Sequence, residues 1–247
     1  MLGELGEPQY SGWARNGDVR IHYYDSSSSC NQETDGLPLV LCPGLSETAE
    51  EYLDLLQALL PRRTILLSFR GRGGSDTPMQ GYDLDDHIGD LEAVIAEARL
   101  STFHLMGNSR GAAYALGYAL RQPAKVRSLI VGDYPPEHRS MSETWPRSYI
   151  YDYLIPSGRH SLIREQAVYG IQRNSTQVEL KGNLAMPLMV ARGGLSDSML
   201  SEADVGRYRA MSKRLVERVY EQSGHAITGS DRSALYEDIA VFLRSCE

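Results

Sequence analysis

The segment Thr102-Phe103-His104-Leu105-Met106-Gly107-Asn108-Ser109-Arg110-Gly111-Ala112-Ala113-Tyr114-Ala115-Leu116 decides how this chain is read. It opens as a short apolar run and closes on small and helix-favouring residues. Between them, Gly107-Asn108-Ser109-Arg110-Gly111 is a G-x-S-x-G motif in strand–turn–helix context. A turn that sharp lifts the serine oxygen above a sheet, and the flanking glycines relieve the crowding. The pentapeptide is brief, so its meaning rests on the rest of the chain.

Working outward, strands and helices alternate. Residues 39–42, 65–67, 103–106 and 129–131 are short apolar strands. Thr48-Ala49-Glu50-Glu51 has capping-box spacing, and Tyr52, Leu53, Leu56, Leu59 and Leu60 follow it as one apolar stripe. Leu84, Ile88, Leu91, Ile95 and Ala98 recur at helical spacing, and residues 112–120 form the next helix. This alternation predicts parallel strands joined by crossover helices. Continuously apolar strands agree, because parallel sheets are covered on both faces. Two earlier strands, near 10–14 and 18–24, flank Asn16-Gly17 and predict an antiparallel edge hairpin. Residues 26–36 read as a polar loop without packing content.

The alternation breaks after Asp133. Residues 135–185 show no clear strand and hold Trp145, Tyr149, Tyr151, Tyr153 and Tyr169. It resumes with a strand at 188–190, a helix near 201–211, a strand near 215–220 and a last helix carrying Leu235, Ile239 and Phe242. The expected fold class is α/β, a mostly parallel sheet of these eight strands with helices on both faces. The core comprises 1–134 and 186–247, with a small helical cap inserted at 135–185.

The 247 residues suit one such domain. A net charge of −7 argues against nucleic acid or an anionic membrane as partner, since both need a basic face. Cys30, Cys42 and Cys246 show neither metal spacing nor an even disulfide framework, and Cys42 reads as a buried strand-end residue. The acidic N-terminus lacks a signal pattern and no apolar run approaches a membrane span, so the expected location is cytoplasmic.

A serine hydroxyl needs a base, an acid that orients the base, and donors for the developing oxyanion. In a parallel sheet these belong at the carboxyl ends of strands. Ser109 follows the strand ending at Met106. Asp197 follows the strand through Ala191, and His225 follows the strand near Tyr220. The order Ser…Asp…His is that of one triad fold among the known ones. Asp133, in Val131-Gly132-Asp133-Tyr134, is the rival acid.

With these residues in view, the chain from Asp18 to Leu243 resembles the α/β-hydrolase superfamily, in particular compact serine esterases with a short cap. Pro43-Gly44-Leu45 resembles its oxyanion loop, Arg70-Gly71-Arg72-Gly73-Gly74-Ser75 its R-G-x-G-x-S turn, and Tyr82-Asp83-Leu84-Asp85-Asp86-His87 the start of its next helix. The resemblance implies an oxyanion hole made by the backbone N–H groups of Leu45 and Arg110. It implies no cofactor and no metal, and a small-molecule ester as partner.

Three positions depart from the family pattern. Pro43-Gly44 stands where His-Gly is common, removing a side chain that helps hold the loop. Ser68 stands where Asp is common, which reads as structural. Arg110 stands where an apolar residue is frequent, and it either pairs with Asp133 or faces the pocket to bind a substrate carboxylate. His87 and His104 lie off the strand ends and read as non-catalytic. Arg70 and Arg72 read as turn-stabilising charges. The expected activity is carboxylic ester hydrolysis through an acyl-enzyme. Thioesterase, lactonase, acyltransferase or perhydrolase and carbon–carbon hydrolase chemistry use the same triad, and a binding or signalling relative with little turnover is the reading of another class. A serine nucleophile argues against the family's dehalogenases and epoxide hydrolases, which use aspartate.

Overall fold

A computed structural model describes residues 11–29 and 36–247. The stretch 1–7, the Tyr10 start of the first strand, Cys30 and the remainder of loop residues 30–35 lie outside them.

Strands β1 (Ser11–Asn16) and β2 (Val19–Asp25) form the edge hairpin. Asn16 pairs with Val19, so the two-residue loop is Gly17-Asp18, one position later than the sequence suggests. Gly17 takes φ +59°, which glycine adopts without penalty. Asn16 instead uses its amide to hold Asp90 Oδ1 at 3.0 Å. Next come β3 (Leu39–Cys42), α1 (Leu53–Ala58), β4 (Thr64–Leu67), α2 (Leu84–Glu97), β5 (Phe103–Asn108), α3 (Arg110–Arg121) and β6 (Val126–Gly132). The chain then leaves the sheet through β7 (Glu137–His138), α4 (Trp145–Ser148), a π turn at Tyr149–Leu154, α5 (Glu165–Asn174) and β8 (Val178–Glu179). It returns as β9 (Leu188–Gly193), α6 (Glu202–Met211), β10 (Leu215–Tyr220) and α7 (Arg232–Ser245).

The eight-stranded sheet has the order β1-β2-β4-β3-β5-β6-β9-β10. From β4 to β10 every pairing is parallel, and β2 joins β4 antiparallel. Side chains alternate between two apolar layers. In β3, Val40 and Cys42 face α2 and α3, while Leu39 and Leu41 face α1 and α7. All four are fully buried. Burying each of the three aliphatic ones stabilises the fold by about 1.5–3 kcal/mol. Helix α3 is packed through small residues: Ala112, Ala113, Ala115 and Ala119 are fully buried, and a Cβ at Gly117 would lie 2.9 Å from Ile88 of α2.

Two expectations change. Ser26 packs after all: it is buried, opens a 3-10 turn, and its Oγ accepts from Thr64 N at 2.8 Å. The inserted region contains a strand pair, β7 with β8 antiparallel, which is too short to show as periodicity.

Arginines fasten this insertion to the sheet's loops. Arg164 donates to the carbonyls of Arg72, Gly73 and Ser75 and to Thr77 Oγ1. Arg159 binds Ser46 O at 2.8 Å and both Glu51 oxygens at 2.8 Å. No helix among the described residues is long and apolar enough to cross a membrane.

Candidate active site

Ser109 sits at the turn between β5 and α3 with φ 49° and ψ −133°, a conformation non-glycine residues rarely adopt. The turn closes tightly. A Cβ at Gly107 would lie 2.4 Å from Gly111 O, and one at Gly111 would lie 2.2 Å from Cys42 O. Neither position can carry a side chain. Ser109 N donates to Gly132 O at 2.8 Å, tying the turn to the end of β6.

Ser109 Oγ lies 2.9 Å from His225 Nε2. On the far side of the ring, His225 Nδ1 lies 2.8 Å from Asp133 Oδ2. A carboxylate only accepts, so Nδ1 carries the proton and the Nε2 lone pair faces the serine hydroxyl. Asp133 also has positive φ, 41°, and is fully buried. It accepts from Gly193 N (3.2 Å), Ser198 Oγ (2.5 Å) and Met199 N (2.8 Å) besides the imidazole. Burial pushes its carboxyl upward, but the hydrogen bonds from His225, Ser198, Met199 and Gly193 outweigh that and hold it below the usual carboxylate range.

The carboxylate beside His225 is therefore Asp133 and not Asp197. Asp197 is exposed and rests on the backbone preceding the histidine, where a Cβ at Gly224 would lie 1.7 Å from its Oδ1. The β9 loop turns Ser198 and Met199 inward instead. It supplies donors to Asp133 rather than the carboxylate that meets His225.

The loop after β3 is held by a residue that sequence reading overlooked. Glu47 Oε2 accepts from Gly44 N at 2.5 Å and from Tyr52 Oη at 2.6 Å, and both its oxygens accept from Asn108 Nδ2, at 3.0 and 3.1 Å. It thus does the holding that Pro43-Gly44 forgoes. Burial, with the Glu47 charge beside it, raises the Tyr52 phenol well above its ordinary range and keeps it a donor. Arg72 Nε fixes Leu45 O at 2.9 Å. A Cβ at Gly44 would lie 3.0 Å from Ser109 Cβ, so this loop passes directly beside the serine. A signal for Glu47 was present in its spacing, three residues after the glycine whose N–H it caps.

Arg110 does not pair with Asp133. Its guanidinium turns away toward His138, Arg139 and Ser175. Burial, then the Arg110 charge, pushes the His138 imidazole down to about 4, so it stands neutral and accepts at Nε2 while Nδ1 donates to Thr176 O at 2.8 Å. Nothing in the sequence distinguished His138, because its partners lie on three separate segments.

The other residues singled out are structural. His87 is buried, stacks on Tyr114 with centroids 4.3 Å apart and meets Arg72 Nη1 at 2.9 Å. His104 lies 2.7 Å from Ser128 Oγ. Ser68 Oγ accepts from Ala49 N at 2.9 Å, and Arg70 is bound to buried Asp90 at 2.6 Å. Among the described residues, no group of three or more His, Cys, Asp and Glu could hold a metal ion.

Leu45, Ser109, Arg110 and His225 line one cavity of about 680 Å³, within the range of small-molecule sites. Trp145, Tyr149 and Tyr153 form its far wall as a stack, with centroids 4.8 and 5.2 Å apart. Tyr149 Oη donates to Ser46 Oγ at 2.9 Å.

Residues 38–152 match the family described as alpha/beta hydrolase fold. Among curated proteins, the Arabidopsis thaliana protein named "Probable lysophospholipase BODYGUARD 2" is 30% identical over 152 residues, covering 61% of this chain and 29% of that one. The chain spans at most about half the length of the first curated relatives it matches. Among solved structures, an esterase from Exiguobacterium antarcticum superposes with TM-score 0.73 at 18% identity, covering 95% of this chain and all of the other (100%). A Bacillus megaterium epoxide hydrolase superposes with TM-score 0.73 at 14% identity, covering 94% and 100%.

Proposed function

We propose that this chain, which matches the alpha/beta hydrolase fold family over residues 38–152 and shares the fold of solved esterases, is a serine hydrolase that cleaves a small carboxylic ester. The observation that carries the reading is the unbroken chain of hydrogen bonds from Ser109 Oγ through His225 to Asp133. In the reaction, His225 Nε2 takes the hydroxyl proton as Oγ attacks the ester carbonyl. Asp133 keeps the imidazole in the Nδ1–H tautomer and stabilises the imidazolium. The N–H groups of Leu45 and Arg110 receive the oxyanion. Arg110 begins α3, where a helix has no internal acceptor for its first N–H groups. His225 then protonates the leaving alcohol, and the same ring activates the water that releases the acid.

An aspartate nucleophile would suit the epoxide hydrolases whose fold this chain shares, but a serine occupies the elbow here. The aromatic wall and the modest cavity favour a short ester over a long-chain lipid. The test is direct. A fluorophosphonate probe is expected to label Ser109, and Ser109→Ala is expected to abolish hydrolysis of a short p-nitrophenyl ester. Turnover surviving Ser109→Ala would refute the assignment.

A further inference from the structure

The Arg110 guanidinium is a buried cation with spare hydrogen-bonding capacity beside the nucleophile. Only 1% of the residue is exposed. Nε donates to Tyr114 Oη at 3.0 Å, and Nη2 donates to His138 Nε2 (2.8 Å), Ser175 Oγ (2.8 Å) and Arg139 O (3.0 Å). All four acceptors are neutral. Nη1 is shielded from solvent and, apart from the Tyr134 phenol within reach of the guanidinium, has no acceptor among the described residues. The Tyr134 phenol lines the same cavity, close enough for Arg110 to counter part of the upward push of burial on its hydroxyl.

The cavity's other cations are matched. Arg159 has Glu51 at 2.8 Å, Arg232 has Asp54 at 2.8 Å and Arg139 has Glu137 at 2.7 Å. Arg110 has no such acid, and a second fully buried guanidinium stands near it. Arg72 Nη2 is also without a partner, and burial, with the Arg110 charge contributing, draws Arg72 below the usual guanidinium range. Buried charges are ordinarily paired, and leaving two neighbouring like charges unpaired is expensive. The missing partner is an anion that arrives with the substrate. A monoanionic carboxylate fits better than a phosphate dianion, because Glu47 and Glu51 also line the cavity and repel added negative charge.

We propose that Arg110 Nη1, with Tyr134 Oη beside it, binds a free carboxylate on the substrate, so that the preferred ester is one bearing a carboxylate near the scissile bond. This rests on the serine-hydrolase reading of the same site, and the experiment separates the two. Two substrate arms locate the carboxylate. In the acyl arm, p-nitrophenyl hydrogen succinate, glutarate and adipate are compared with neutral p-nitrophenyl esters of matched length. In the alcohol arm, 4-acetoxybenzoate is compared with 4-acetoxybenzamide. In one arm, kcat/KM for the carboxylate-bearing ester should exceed its neutral match by about tenfold or more. Arg110→Gln should bring that ratio close to one, and Arg110→Lys should keep part of it. Independently of turnover, calorimetry should show glutarate binding to Ser109→Ala protein and not to the Ser109→Ala, Arg110→Gln double variant. Glutarate binding without hydrolysis of any ester would remove the hydrolase reading and leave the carboxylate site standing. Neutral esters turned over as well as or better than charged ones, with no glutarate binding, would overturn the proposal and make Nη1 a buried structural group. Inorganic phosphate binding more tightly than glutarate would overturn it in favour of a phosphate ligand. If both Arg110 variants fail to fold, the charged-to-neutral ratio and glutarate binding of proteins that keep Arg110 decide alone.

Discussion

The ends of β6 and β9 each deliver an aspartate to the same side of the sheet, yet the two carboxylates live in different media. Asp133 is dry, takes four hydrogen bonds and touches the imidazole. Asp197 is exposed and lies against the backbone of Gly224. The two loops divide the labour: one contributes the charge and the other contributes Ser198 and Met199 to cradle it. An acid that must steady an imidazolium is more effective where few waters screen it. Depth and donor supply, not chain order, set which carboxylate meets the imidazole.

The strongest attempt to break this contrast is Asp133→Asn. Its amide would offer a donor where Nδ1–H needs an acceptor, favouring the wrong tautomer. The expected loss in kcat on a short ester is about 10⁴-fold with the fold retained by circular dichroism. A loss of under about tenfold would return the acid role to the β9 loop.

Glu47→Gln comes next. It removes the charge that gathers Gly44, Tyr52 and Asn108, and should lower kcat by about 10–100-fold with a smaller change in KM. An effect confined to KM would assign Glu47 to substrate binding instead.

Ser198→Ala tests the cradle and should cost about tenfold or less in kcat. It also has a signature in acid unfolding. A carboxyl held low in the folded state stabilises the fold above its unfolded pKa and loses that contribution as pH falls through the folded value. Removing one donor narrows the gap for Asp133, so acid unfolding of Ser198→Ala should begin at higher pH than in the parent. Unchanged acid unfolding would show that Ser198 does not tune the acid.

The smallest effect is expected from Asp197→Asn, within about twofold in kcat and within about 0.5 kcal/mol in stability by urea unfolding, since the residue is exposed. A loss comparable to that of Asp133→Asn would collapse the comparison.

The sheet was legible because its strands are short apolar blocks separated by amphipathic helices, a pattern written locally. The elbow turn at Ser109 was legible because Gly107 and Gly111 answer a local steric demand. His225 was legible as the histidine nearest the end of β10. The partner of His225 was not, because an aspartate follows each of two strands, Asp133 directly after β6 and Asp197 four residues after β9, and only the folded β9 loop reveals which one receives donors. The same dependence on folding hid the distant half of the Glu47 network and His138. Their partners, Asn108 for the one and Arg110 and Thr176 for the other, come from distant segments. The β7–β8 pair escaped notice because two-residue strands carry no period.

The fastening of the inserted region has a consequence for how the protein chooses its guests. Arg159 binds Ser46 O in the loop beside Ser109, and Arg164 binds carbonyls of the loop after β4, whose Arg72 in turn holds Leu45 O. To swing this roof aside, the molecule would have to strip guanidinium bonds from the loops that follow β3 and β4. Under the proposed hydrolase reading, the aperture is expected to behave as a gauge of fixed bore.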